Sequence, residues 1–260
     1  MNDTKKQAGT ALITGAAHRI GRALAEDLAD HGWRVAIHCN TSSNAADELA
    51  ATLKSKGTDA CVLQCDLKDE DQVHRLIPDA EAALGPVTCL VNNASVFESD
   101  SLEDATRENW TLHMDVNLRA PFCLIQDFAK ALPEDLQGNI INIIDQRVWN
   151  LTADFASYTL SKAGLWTLTQ TAALGLAPRI RVNAIGPGPT LKSIHQTDQD
   201  FRKEWESVPL ARKVSLSEIC SALRFILDAE SMTGQMIALD SGQHLGWSQT
   251  ASGSGTERDF

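Results

Sequence analysis

Thr10-Ala11-Leu12-Ile13-Thr14-Gly15-Ala16-Ala17-His18-Arg19-Ile20-Gly21-Arg22-Ala23 decides the fold. The apolar run at 11–14 reads as a strand, and 20–31 carries the apolar spacing of a helix. Gly15 permits a tight turn between them, and Gly21 lets backbone approach a ligand closely. The free N–H groups at the start of the helix then face a pyrophosphate. A strand–glycine–helix corner also occurs as plain structure, so its place in the rest of the chain decides between the two readings.

Working outward, short apolar runs at 34–39, 60–64, 87–91, 139–144, 180–184 and 235–239 alternate with longer helical patterns at 44–56, 69–84, 107–131, 155–176 and 217–228. Repeated strand–helix units of this kind build a parallel sheet, and nearly continuous apolar strands are expected where both faces are buried. The class is α/β, with seven strands and at least six helices in one domain over 1–247. Residues 187–216 break the rhythm, with Pro187-Gly188-Pro189 followed by a polar stretch carrying only Ile194, Phe201 and Trp205 as large apolar groups. This predicts a mobile insertion over a site. Residues 248–260 lack apolar periodicity and are expected to form a loose tail.

Composition narrows the function. With 34 acidic against 23 basic residues, the net charge of −11 repels phosphate backbones and anionic lipid. Neither nucleic acid nor a membrane is an expected partner. No apolar run reaches the roughly 20 residues of a membrane span, and the first residues form no apolar leader, so the chain is expected to be cytoplasmic. The six cysteines form no C-x-x-C pair and are read as reduced thiols. His18, His74, His113, His195 and His244 show no metal-ligand spacing, and no metal is expected.

The chemistry lies further along. Ile140-Ile141-Asn142-Ile143-Ile144-Asp145 ends a strand with an acid, thirteen residues before Tyr158, the only tyrosine. Lys162 follows Tyr158 by one helical turn, so both can share a face. An ammonium there favours the tyrosinate and lets Tyr158 release a proton near neutral pH. Asn92-Asn93-Ala94-Ser95-Val96-Phe97 follows the fourth strand, Asp66-Leu67 the third, and Asn40-Thr41-Ser42-Ser43 the second. No acid ends that second strand, and its hydroxyl and amide groups suit a phosphate, although Ser42 and Ser43 also suit a helix cap.

Together these motifs resemble the short-chain dehydrogenase/reductase family over about 11–245. The resemblance implies a Rossmann-type doubly wound sheet in the order 3-2-1-4-5-6-7 and an NAD(P)H-dependent oxidoreductase. The family pattern Thr-Gly-x-x-x-Gly-x-Gly has a glycine where this chain has Arg19, a variant shared with pteridine and dihydromonapterin reductases. Arg19 then either reaches phosphate oxygens or faces solvent. The resemblance implies that Gly15, Arg19, Ile20, Gly21, Asn40, Thr41, Ser42, Asp66, Leu67, Asn93, Ala94, Ser95, Pro187, Gly188 and Thr190, with Tyr158 and Lys162, hold NADPH. Asp66 is also a plausible cap. The catalytic set it implies is Asn117, Asp145, Tyr158 and Lys162, with Asn117 positioning a water or serving only as structure.

The family normally has serine where Asp145 stands. A hydroxyl can donate to a ketone oxygen, whereas a carboxylate only accepts, so the expected substrate is not an ordinary ketone. Ser95, Phe97, Asp145, Tyr158 and Trp149 are the expected substrate contacts. Phe97 would stack on a pterin unless it is a core residue, and Trp149 would line the pocket unless it is a structural indole. The expected function is NADPH-dependent reduction of a dihydropterin or a folate. The alternatives are a carbonyl reductase of 3-oxoacyl or sugar substrates and a silent NADP-sensing protein. Relatives of this kind suggest a homotetramer acting on a small molecule.

Overall fold

The computed structural model describes residues 9–193 and 196–246. Seven strands, β1 (Gly9–Ile13), β2 (Trp33–Cys39), β3 (Ala60–Gln64), β4 (Val87–Asn92), β5 (Gly138–Ile143), β6 (Ile180–Pro187) and β7 (Met236–Leu239), form one sheet. Its order is 3-2-1-4-5-6-7, and every pairing is parallel. The helices are α1 (Arg19–Asp30), α2 (Ser43–Ser55), α3 (Glu70–Val73), α4 (Leu76–Leu84), α5 (Arg107–Met114), α6 (Ala120–Ala131), α7 (Ala156–Leu176), α8 (Asp198–Ser207) and α9 (Leu216–Asp228).

The period of two along each strand divides the core. Ala11, Ile13, Val35, Ile37 and Val91 pack under α1, α2 and α9. Leu12, Ala36, Leu90 and Val182 pack on the other side, under α4, α6 and the end of α7. Both faces are therefore apolar, which explains why the strands lack polar alternation. Strand order reverses between β1 and β4, and the carboxyl ends of the strands beside that switch are where an open α/β sheet leaves a crevice.

Three segments differ from the sequence expectation. The helix expected at 69–84 is two helices, the first capped by Asp69, whose side chain accepts from the Gln72 N–H. The helix expected at 107–131 widens into a π-helical turn at Asp115–Arg119. Pro121 has no N–H to offer the Asn117 carbonyl four residues earlier, which is where the ladder loosens. Inside the expected insertion, α8 forms because Thr197 and Asp200 make a reciprocal capping box. Ile194, His195 and the expected tail at 248–260 lie outside the described residues. No helix among the described residues is long and apolar enough to cross a membrane.

Candidate active site

The glycine turn after β1 is clamped from three sides. The Thr14 hydroxyl accepts the N–H groups of Asn93 and Ala94 at 2.9 and 3.0 Å. The Asn93 amide donates to the carbonyls of Thr14 and Gly15. Gly15 N–H donates to Nδ1 of His38 at 3.0 Å, and Nε2 of His38 reaches the Cys65 carbonyl at 3.0 Å. Burial lowers the His38 pKa, which keeps the ring neutral so that Nδ1 can accept. The sequence reading missed His38, although a histidine inside an apolar strand was a visible signal. Gly15 has a φ of +62°, and a Cβ on Gly21 would stand 2.3 Å from the Gly15 carbonyl oxygen. Only bare backbone fits here, as a phosphate cradle requires.

From this turn a cavity of about 720 Å³ runs past Asn93, Ala94, Ser95 and Phe97 to Asp145, Tyr158, Lys162, Pro187, Gly188 and Thr190. Its far wall includes Gln196, Phe201 and Glu204 from α8 and the segment before it. The polar insertion thus contributes a helix to the cavity wall.

Asp145 has an extended backbone at the end of β5. One carboxylate oxygen accepts the Arg147 N–H at 2.8 Å, capping a short 3-10 turn, and the other accepts the Tyr158 hydroxyl at 2.9 Å. Burial and then the Asp145 charge raise the Tyr158 pKa well above its ordinary value, against a smaller opposing effect of Arg147. Lys162 is also buried. Its Nζ donates to the Ile143 carbonyl at 3.0 Å and lies 5.9 Å from the Tyr158 ring centroid, and burial brings its pKa down to about 8. This corrects the expectation of a readily ionised tyrosine. The nearest charge to the hydroxyl is an anion, so Tyr158 is held protonated, as a proton donor must be.

An aromatic pair stands beside it. Phe97 stacks on Phe155 with centroids 4.3 Å apart and meets Tyr158 edge-on at 4.7 Å. Arg147 covers the other ring, with its guanidinium carbon 5.2 Å from the Phe155 centroid. Phe155 and Arg147 line the cavity, and the sequence reading assigned neither a role. Their nearness in sequence to Asp145 and Tyr158 was the available signal.

Other expected residues are placed differently. Trp149 does not line the cavity: it is 43% exposed and meets Trp166 and His244 edge-on. The Leu67 side chain is buried in the core beneath the sheet, leaving only its main chain for any ligand. Asn40, Thr41, Ser42 and Asp66 lie beyond the cavity lining. Asp66 accepts the Lys68 N–H in a turn, while the helix cap that was its alternative role is made by Asp69. Arg19, with a φ of 54°, lines the cavity, but its guanidinium donates to the carbonyls of Lys192 and Leu191 at 2.7 and 3.0 Å. The Asn117 amide is occupied by both main-chain groups of Val96 and by the Ser161 hydroxyl. Away from the cavity, Glu70, His74 and Cys123 bring ligand-type atoms within 4.8 Å of one another. Both Glu70 oxygens are held there by Arg119, and His74 Nδ1 by Asp127.

The 3-2-1-4-5-6-7 sheet thus carries a glycine cradle at the end of β1 and, on α7 beside the end of β5, a tyrosine–lysine pair. The family model described as Enoyl-(Acyl carrier protein) reductase matches residues 15–244. The chain belongs to the short-chain dehydrogenase/reductase family. This short-chain reductase is 31% identical to the 3-oxoacyl-(acyl-carrier-protein) reductase FabG of Staphylococcus aureus, over 92% of this chain and 100% of that protein. It superposes on FolM Alternative dihydrofolate reductase 1 of Brucella suis, solved in complex with NADP, with a TM-score of 0.91. That pair is 48% identical over 94% of this chain and 98% of the other. The Brucella canis protein of the same description, also with NADP, gives a TM-score of 0.89 and 47% identity over 94% and 97%.

Proposed function

We propose that this oxidoreductase is an NADPH-dependent pterin reductase, taking a dihydropterin or dihydrofolate to the tetrahydro form. The observation that carries the reading is Asp145, which accepts the Tyr158 hydroxyl where a ketone reductase needs a donor. The likeness to the NADP-bound Brucella dihydrofolate reductases supports both cofactor and substrate class.

The cradle fits the cofactor. Gly15, Gly21 and the first N–H groups of α1 would hold the pyrophosphate, with Arg19 and Ile20 beside it. Asn93, Ala94, Ser95, Lys162, Pro187, Gly188 and Thr190 would border the nicotinamide half. Asn40, Thr41, Ser42, Asp66 and the main chain of Leu67 would border the adenosine half. Bound NADPH supplies a hydride.

Reducing a C=N bond also requires a proton on nitrogen. Tyr158 Oη, held protonated, gives that proton, and the Lys162 ammonium favours the tyrosinate left behind. Phe97, backed by Phe155, holds a flat ring by stacking, while Asp145 and Ser95 accept its N–H groups. Asn117 ties the Val96 peptide to α7 through Ser161 and so keeps this wall in register.

A second reading, 3-oxoacyl reduction, is favoured by the FabG relatives. NADPH oxidation measured with dihydrobiopterin, dihydromonapterin and dihydrofolate beside 3-oxoacyl thioesters separates the two. Turnover of pterins supports the first reading, and turnover confined to thioesters removes it. The exposed Trp110, Phe122, Leu160 and Leu174 on α5, α6 and α7 suit a homotetramer, which sedimentation would test.

A further inference from the structure

Behind the aromatic pair, three buried polar side chains from separate segments meet at the start of α7. Asp100, His113 and Ser157 are 4%, 0% and 1% exposed. The Glu98 N–H donates to His113 Nε2 at 3.0 Å, so the ring proton sits on Nδ1, which lies 2.7 Å from the Ser157 hydroxyl and donates to it. Ser157 Oγ in turn donates to one Asp100 carboxylate oxygen, and the other accepts the Ser157 main-chain N–H at 3.1 Å. The Asp100 carbonyl accepts the Phe155 and Ala156 N–H groups at 2.7 and 3.4 Å. Every donor in this chain therefore points toward Asp100.

The arrangement solves a local problem. A helix leaves its first N–H groups without intrahelical partners, and an oxygen-bearing residue at its start normally takes one of them. Here that position is Phe155, which has no side-chain acceptor and a φ of 59°. A left-handed backbone is costly for a bulky residue and persists only where its surroundings impose it. Asp100, 57 residues before Ser157, supplies the missing acceptors from the loop that also carries Phe97.

We propose that Asp100 is a positioning residue for the catalytic helix: by capping α7 from the neighbouring loop it fixes the Phe155 turn and sets the Phe97–Phe155 pair against the Tyr158 ring. This rests on the pterin-reductase reading only for the choice of activity assay. Burial also keeps the His113 imidazole pKa low, so the chain of donors keeps its direction at neutral pH.

The single tyrosine allows a test without substrate. Labelling with 3-fluorotyrosine, which ionises more readily than tyrosine, gives one ¹⁹F resonance whose pH titration reports Tyr158 alone. The ionisable groups around its ring are Asp145, Arg147, Lys162 and His113. In Asp100→Ala the hydroxyl should move away from Asp145 and toward water. Both effects lower its midpoint, by about one pH unit. kcat/KM for dihydropterin should fall roughly 10- to 100-fold through misplacement, with NADPH affinity unchanged.

Asp100→Asn keeps an oxygen for the Ser157 N–H and should restore midpoint and turnover toward wild type. If Asp100→Ala does not fold, Ser157→Ala breaks the chain at its centre and should lower the midpoint in the same direction by less. A wild-type midpoint and turnover in Asp100→Ala or, where that does not fold, in Ser157→Ala overturns the proposal. So does a parallel fall of midpoint, turnover and NADPH affinity. If wild-type protein reduces no pterin, the substrate reading fails, while the fluorine titration still decides the role of Asp100.

Discussion

The two walls of the cavity are built by different means. The wall after β1 presents bare backbone: Gly15 and Gly21 leave no room for side chains, and the side chains of Thr14, Asn93 and His38 pin the turn through main-chain groups. The wall after β5 consists of side chains that meet across long sequence distances, with Asp145 on Tyr158 and Phe97 on Phe155. A backbone wall suits a ligand recognised through main-chain groups, and a side-chain wall can change its substrate by single replacements.

This contrast breaks most visibly at Tyr158. Tyr158→Phe is expected to lower kcat by roughly 10²- to 10⁴-fold, the usual worth of a positioned acid, while NADPH affinity measured by fluorescence titration stays near wild type. Gly21→Ala should do the reverse. Forcing a Cβ against the Gly15 carbonyl costs about 1–3 kcal/mol, so NADPH should bind roughly 5- to 150-fold more weakly, and equal affinity in the variant would contradict the backbone account.

Lys162, beside Tyr158 in the wall after β5, sharpens the comparison through pH. Its pKa falls from 10.5 to about 8 in the fold, so kcat/KM should decline as pH rises through about 8 and the ammonium is lost. The folded chain binds this proton less readily than the unfolded chain, so the buried ammonium costs stability at neutral pH, and that cost fades between about 8 and 10.5. Lys162→Met should therefore melt higher at pH 7, by an amount on the order of 1–3 kcal/mol, and lose turnover. A lower melting temperature would show that the ammonium is compensated. The smallest effect is expected at Trp149, which stands outside both walls. Trp149→Ala should leave kcat/KM within about twofold, and a large rise in KM would return it to the substrate site.

The same division explains what the sequence disclosed. Strand order, the glycine turn and the Tyr158–Lys162 spacing were legible because they follow from local period and local stereochemistry. His38 was not assigned, because its role is to bridge three strands that only the sheet brings together. The raised Tyr158 pKa was hidden for a similar reason: the carboxylate that acts on the hydroxyl comes from another element, while the lysine one turn away faces the Ile143 carbonyl. Trp149 was misplaced because nearness to Asp145 along the chain does not fix which way a side chain turns after a 3-10 turn. The α8 helix was not expected, because the polarity around Thr197-x-x-Asp200 masked the cap.

The central claim is that Asp145 selects a nitrogen heterocycle over a ketone. Asp145→Ser and wild type should be compared for kcat/KM with a dihydropterin and a 3-oxoacyl thioester under one set of conditions. The account predicts that serine lowers the pterin value and raises the thioester value, reversing the preference. An unchanged ratio in the variant, or a wild type that already prefers the thioester, would contradict it.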